Sequence, residues 1–257
     1  MNNAELSDAQ LSRYSRHILL PEFDLAGQIK LQQASALIIG AGGLGSPAAL
    51  YLASSGIGQL SIIDDDDVDL GNLQRQISYK NNDIGNPKAA RLRDNLLAIN
   101  PEIEVTAINK RADKALIQEY ATQSDVILDC SDNFTTRFDT NQASLTTKTP
   151  LISGAAIRFQ GQISVFDPRH NEAPCYQCLY RDIADSPGET CHDRGIFAPL
   201  VGIIGSMQAA EAIKLLIGIG QSLIGQLFTI DTLNMTPRLI KLPKDPHCPA
   251  CSAPRQA

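Results

Sequence analysis

Two Cys-x-x-Cys pairs, Cys175/Cys178 and Cys248/Cys251, together offer the number and softness of ligands that a tetrahedral zinc ion takes. Because the pairs lie far apart, a metal held by all four pins the C-terminal tail to the region around Cys175, a structural task that needs no open coordination position. A redox role fits less well, since that chemistry expects the pair to open a helix after a strand, and neither pair is expected to do so. His247 reads as a bystander beside Cys248. Cys130 adjoins an apolar run and reads as a small core residue. Cys191 sits in a polar stretch with His192 and Arg194, which favour a thiolate if they face it and leave an ordinary solvated thiol if they do not.

A second constellation is built for phosphate. Gly40, Gly42 and Gly45 follow an apolar run at 36–39 and precede a helical pattern, so the chain can turn tightly and bring its amides to an anion at a positive helix N-terminus. A carboxylate about 20 residues further on can hold a ribose hydroxyl. The candidates are Asp64 first and Asp66 second, within a run of acids at 64–67 that also reads as a solvated strand end. Asn72, Arg75 and Lys88 fall in the loops after that strand, at the carboxyl edge of the expected sheet, where ligands bind. Arg75 can fork two phosphate oxygens and Lys88 can act as a point charge, or the two can be an ordinary surface Arg and a helix-start Lys. Asp132, in Asp129-Cys-Ser-Asp-Asn133, follows a further strand into the same crevice. It can hold Mg²⁺ beside phosphates, cap the next helix, or do both.

Elements that place these residues follow from hydrophobic period and punctuation. Ser7 and Gln10 make a capping box for a helix ended by Pro21, and a second helix covers 23–34. Strand 36–39, helix 43–55, strand 60–63, helix 87–99, strand 103–108, helix 114–120 and strand 126–128 then alternate, which builds a parallel, doubly wound sheet. After Pro150, runs at 162–166, 227–230 and 239–242 read as an antiparallel extension. Residues 200–217 form a helix apolar around most of its circumference, a core element that can also share in a subunit interface, and 182–194 reads as a loop.

Composition narrows the partners. At 257 residues and 43% hydrophobic, the chain can bury the core of one large domain. A net charge of −6 without a Lys/Arg run excludes a nucleic-acid groove or an anionic-lipid patch. Residues 1–10 contain no secretory pattern, and the apolar stretch at 197–207 is expected to be too short and too polar to cross a bilayer. The chain therefore reads as cytoplasmic, a reducing setting that favours metal over disulfides for the paired cysteines.

Taken in order, Arg13-Tyr-Ser-Arg16-His-Ile, Gly40-Ala-Gly42-Gly43-Leu-Gly45, Asn72-Leu-Gln-Arg75-Gln76, Gly85-Asn-Pro-Lys88, Asp129-Cys-Ser-Asp132-Asn133 and the two cysteine pairs resemble the MoeB/ThiF family of ubiquitin-activating-like adenylyltransferases. The resemblance runs from about Leu11 to Cys251. It implies one α/β domain over 1–257, a Rossmann-like doubly wound, mostly parallel sheet with an antiparallel C-terminal extension and a zinc site of four cysteines. Within it, 1–34 would be N-terminal helices, 35–150 the nucleotide-binding half, and 151–257 the extension with a crossover loop. It also implies that Asp64, Asn72, Arg75 and Lys88 hold ATP, that Asp132 binds Mg²⁺, and that Arg16 reaches into the neighbour's site across a homodimer.

The implied reaction joins the C-terminal glycine carboxylate of a ubiquitin-like sulfur carrier to AMP. Residues 153–162 look more like the MoeB branch, which serves molybdopterin synthase, than the thiamin-pathway branch that serves ThiS-like carriers. Cys191 falls where the family has a loop cysteine that some members use in sulfur transfer or thioester chemistry and others do not need. Six residues follow Cys251, so no appended rhodanese domain is expected and a separate sulfur donor is implied. Two other classes fit parts of the pattern. A nicotinamide-dependent oxidoreductase with structural zinc accounts for the glycines and Asp64 but not for Arg75, Lys88 and Asp132, and a noncatalytic nucleotide-binding scaffold does not need those charges.

Overall fold

Ser7 accepts a hydrogen bond from the Gln10 amide and Gln10 accepts one from the Ser7 N–H, so the capping box starts α1 (Asp8–Ile18) as its sequence predicts. A turn through Pro21 leads to α2 (Asp24–Gln33), and the chain then enters β1 (Ser35–Ile39), four of whose five residues are buried. The structure is a computed structural model and describes residues 6–181 and 195–252. Cys191 and the expected loop at 182–194 lie outside the described residues.

From β1 the alternation runs through α3 (Gly45–Ser55), β2 (Gln59–Ile63), α4 (Lys88–Ile99), β3 (Glu104–Ile108), α5 (Lys114–Ala121) and β4 (Val126–Asp129). Next come α6 (Phe134–Thr147), β5 (Leu151–Ile157), β6 (Gln160–Phe166), the single turn α7 (Tyr176–Leu179), α8 (Ala198–Ile217), β7 (Gln226–Asp231) and β8 (Thr236–Lys241). All eight strands form one sheet in the order β3-β2-β1-β4-β5-β6-β7-β8. The first five are parallel, and β6, β7 and β8 join antiparallel.

Winding reverses at β1, which pairs with β2 on one side and β4 on the other, and the crevice of such a sheet opens outside the carboxyl ends of those strands. Successive side chains of β1 serve opposite faces. Ala36 and Ile38 pack with α2, α3, α4 and α8, while Leu37 and Ile39 pack with α5, α6 and α7. By length and a mean hydropathy of 1.6, α8 could cross a membrane, which differs from the expectation of a stretch too short for that. Half of it is buried, against α3 and strands β4 to β6.

Helix α6 and strand β5 are given no bounds by the hydrophobic pattern, and each has a physical reason. Helix α6 is rich in Thr and lacks an apolar stripe, because its buried face is polar: Thr136, Arg137, Thr140, Asn141 and Ser144 all point inward. Strand β5 contains Gly154 and two alanines where a strand pattern expects bulk. The reason is close packing: a Cβ on Gly154 would come within 2.5 Å of the Gln208 side chain on α8.

Candidate nucleotide site and cysteine centre

At the switch point lies a cavity of about 830 Å³. Its floor is the glycine turn. Gly40 adopts φ +93°, and a Cβ there would lie 2.8 Å from the Cys130 carbonyl oxygen; a Cβ on Gly45 would lie 1.8 Å from the Gly40 carbonyl oxygen. Ala41 between them is gripped on both sides. Its N–H donates to Asp64 Oδ2 at 2.6 Å, and its carbonyl accepts from the Tyr79 hydroxyl at 2.7 Å.

Asp64 also accepts from the Asp66 N–H at 2.9 Å, so both carboxylate oxygens are fixed. Burial pushes its carboxyl up to about 6, against the downward pull of the Ala41 N–H and of Lys88. Asp66 is differently placed. Its side chain is 69% exposed and pairs with Lys88 Nζ at 2.8 Å, while Lys88 itself is almost fully buried at the start of α4. Of the two acids, Asp64 is therefore built into the glycine turn, and Asp66 is the partner of Lys88.

Arg75 is held in place from behind: Nη1 donates to the Gly71 carbonyl at 3.0 Å and Nη2 to buried Asn72 Oδ1 at 2.7 Å. At the end of β4, Asp129 is fully buried and accepts from Ser131 Oγ at 2.6 Å and Ser153 Oγ at 3.0 Å. The N-cap of α6 is Asn133, which accepts from the Thr136 N–H at 2.8 Å, so the alternative cap role foreseen for Asp132 falls to its neighbour. Asp132 stays exposed on the cavity wall, chemically suited to a hard cation beside phosphate.

Gly40, Gly42, Gly43, Asp64, Asp66, Asn72, Arg75, Lys88 and Asp132 thus line one cavity. Gly45 shapes the turn behind it, and Arg16 lies exposed on α1, away from this lining. Residues not singled out from sequence also belong here. Gln208 on α8 donates to the Asp129 carbonyl at 2.9 Å and the Ile152 carbonyl at 3.2 Å, and accepts from the Cys130 thiol at 3.4 Å. A lone Gln in an apolar helix was the available signal. Tyr79 and Arg137 gave none. Cys130 is a buried core thiol, pushed far up by desolvation and unsuited to nucleophilic work.

One turn further along the buried face of α6, beside Asn141, four sulfurs converge, all within 4.8 Å of one another. Separations are 3.6 Å for Cys175 to Cys248, 3.9 Å for Cys178 to Cys175 and 3.5 Å for Cys178 to Cys251. A tetrahedron of Zn–S bonds about 2.3 Å long has edges of about 3.8 Å, so the cluster fits that ion. Hydrogen bonding to Cys175 pushes the Cys178 thiol down, while burial pushes Cys251 up. Cys175 does open a helix, the single turn α7, contrary to expectation, yet β6 ends at Phe166 and the second pair completes the cluster.

Comparison with known families matches residues 14–250 to the ThiF family. The chain belongs to that family. Over 248 residues this ThiF-family chain is 45% identical to the molybdopterin-synthase adenylyltransferase of Salmonella typhimurium, covering 96% of this chain and 99% of that one. Over 246 residues it is 43% identical to the sulfur carrier protein ThiS adenylyltransferase of Escherichia coli K12, covering 96% and 97%. A crystal structure of E. coli MccB with ATP superposes with a TM-score of 0.82 at 24% identity, over 97% of this chain and 75% of that one, a likeness of fold.

Proposed function

We propose that this ThiF-family chain is an adenylyltransferase that activates the C-terminal glycine carboxylate of a ubiquitin-like sulfur carrier with ATP. The observation that carries this reading is the convergence of Asp64, Arg75, Lys88 and Asp132 on one cavity over the glycine turn. The relatives' names support the carrier as substrate class, and the molybdopterin-synthase small subunit, in molybdenum cofactor biosynthesis, is the first choice. A ThiS-like carrier is the second, supported by the 43% identical relative.

In the reaction, a carboxylate oxygen of the terminal glycine forms a bond to the α-phosphorus and the bond to pyrophosphate breaks. No proton need move and no side-chain nucleophile is required. The protein's task is to align two anions and to stabilise charge growing on pyrophosphate. The glycine-turn amides and Asp64 hold the adenosine side, Asn72 fixes the Arg75 fork, and Lys88 adds a charge released from Asp66 as phosphate arrives. Asp132 would hold Mg²⁺, which would add neutralisation of the phosphates. Arg16 supplies another cation from the partner subunit of a homodimer. Zinc on the four cysteines is structural, and the acyl-adenylate passes to a separate sulfur donor in the cytoplasm. A glycine-ended tail suits a narrow approach to the phosphate, since a side chain would clash there.

The test is ATP–pyrophosphate exchange with each carrier, intact and lacking its terminal glycine. Exchange that requires the intact tail is expected, and the carrier that supports it names the branch. Absence of exchange with both, together with binding of NAD, would move the protein to the oxidoreductase class.

A further inference from the structure

Asn133 at the N-cap of α6 and Arg137 and Asn141 on its buried face are four residues apart and so stacked along one side of the helix. Each ties down a different neighbour. Asn133 caps the helix beside Asp132. Arg137, 8% exposed, donates from Nη2 to the Ser131 carbonyl at 2.5 Å and lies 3.9 Å from the Asp129 carboxylate. Asn141, 1% exposed, accepts from the Tyr176 N–H at 3.0 Å and turns its Nδ2 toward the Cys175 sulfur at 3.8 Å. Tyr176 closes the path, its hydroxyl facing the Arg137 guanidinium and its ring packed edge-on against Phe138 and Phe166.

The peptide that precedes Asp132 and the peptide that follows Cys175 are therefore fastened to two side chains only about 6 Å apart along one helix. Both fastenings are buried and fully engaged, so neither end can shift without leaving a polar group unpaired. The charge on Cys175 decides how strongly the second one holds. A metal-bound thiolate accepts a hydrogen bond from Asn141 more strongly than a thiol does, and the same amide then presents its oxygen to the Tyr176 N–H.

We propose that Arg137 and Asn141 are positioning residues that couple occupancy of the four-cysteine cluster to the placement of Asp132 in the nucleotide cavity. The inference rests on the nucleotide and metal readings given above. Coupling between two binding sites is reciprocal, so nucleotide bound at Asp132 must hold the metal more tightly by the factor with which the metal favours nucleotide.

The experiment loads the full-length protein with zinc and times its release to a chromophoric chelator, with Mg²⁺ alone and with Mg²⁺ plus a non-hydrolysable ATP analogue. Analogue binding is measured separately by calorimetry. In the wild type the analogue is expected to slow release about fivefold or more. In Arg137→Leu and Asn141→Leu proteins that still bind the analogue, the slowing should fall below about twofold, a ratio that a merely structural contact would not move. If Arg137→Leu does not fold, Arg137→Lys, which loses the fork but keeps the charge, is judged by the same criterion. Equal release rates with and without analogue in the wild type, or full slowing in both variants, overturns the proposal. A wild type that fails to bind the analogue at all, or to retain zinc, overturns it by removing one of the two sites, and calorimetry and metal analysis identify which.

Discussion

Replacing Asp64 with asparagine should stabilise the free protein while weakening its hold on ATP, and the size of the gain should depend on pH. In the fold, burial raises the Asp64 carboxyl from 3.8 to about 6. At about 1.4 kcal/mol per tenfold change, that gap means that ionising Asp64 costs the folded state about 3 kcal/mol relative to the unfolded chain. Because the folded value is the higher one, the stability contributed by the protonated carboxyl is fully present below 3.8 and is lost as pH rises to about 6. The substituted amide carries no such penalty and keeps one oxygen to accept the Ala41 N–H. Urea unfolding of both proteins should therefore show Asp64→Asn more stable by up to about 3 kcal/mol at pH 7 to 8, by about half of that at pH 5, and by only about 0.5 kcal/mol at pH 4. The KM for ATP should rise in the variant, and in the wild type it should rise as pH falls below about 6, where the ribose acceptor becomes protonated. A stability difference that is the same at pH 4 and pH 8 would refute the reasoning, because a pH-independent gap cannot come from the ionisation of this carboxylate.

Asp132→Ala or Arg75→Ala should each lower ATP–pyrophosphate exchange by about 10²-fold or more with the circular dichroism spectrum unchanged. Mixing separately inactive Arg16→Ala and Asp132→Ala proteins should restore part of the exchange, since the mixed dimer contains one site with both residues; no recovery after subunit exchange is demonstrated would place Arg16 outside its partner's site. Tyr79→Phe should weaken ATP binding about tenfold by leaving the Ala41 carbonyl without its hydroxyl donor, as calorimetry can measure. Cys248→Ser should abolish stoichiometric zinc by elemental analysis and speed deuterium exchange across 243–252.

The parallel half of the sheet and its glycine turn could be read from sequence because their rules are local. An apolar run feeding glycines, with a carboxylate one strand later, fixes β1, the turn and Asp64 with no knowledge of distant residues. The capping box of α1 is equally local. What escaped depends on contacts between distant segments. Helix α6 buries Arg137 and Asn141 because buried partners await them just after β4 and on α7, and no periodicity within the helix records that. Strand β5 is thin because Gln208, 54 positions after Gly154, fills the space above it. Arg16 lies outside the lining of its own cavity, so only the family resemblance gives it a task there.

The halves of the cysteine cluster stand 73 residues apart, with α8, β7 and β8 between them. A chain made from its N-terminus presents Cys175 and Cys178 to the cell well before Cys248 and Cys251 exist. Two thiols alone would leave a tetrahedral ion half ligated, so firm capture of a metal would wait until the second pair has left the ribosome. An ion held by all four would close a loop that contains α8, β7 and β8, a closure whose entropic cost grows only slowly with loop length. A metal held by all four cysteines would thereby fasten the segment after β8 back to α7, with α8, β7 and β8 inside one cross-linked loop.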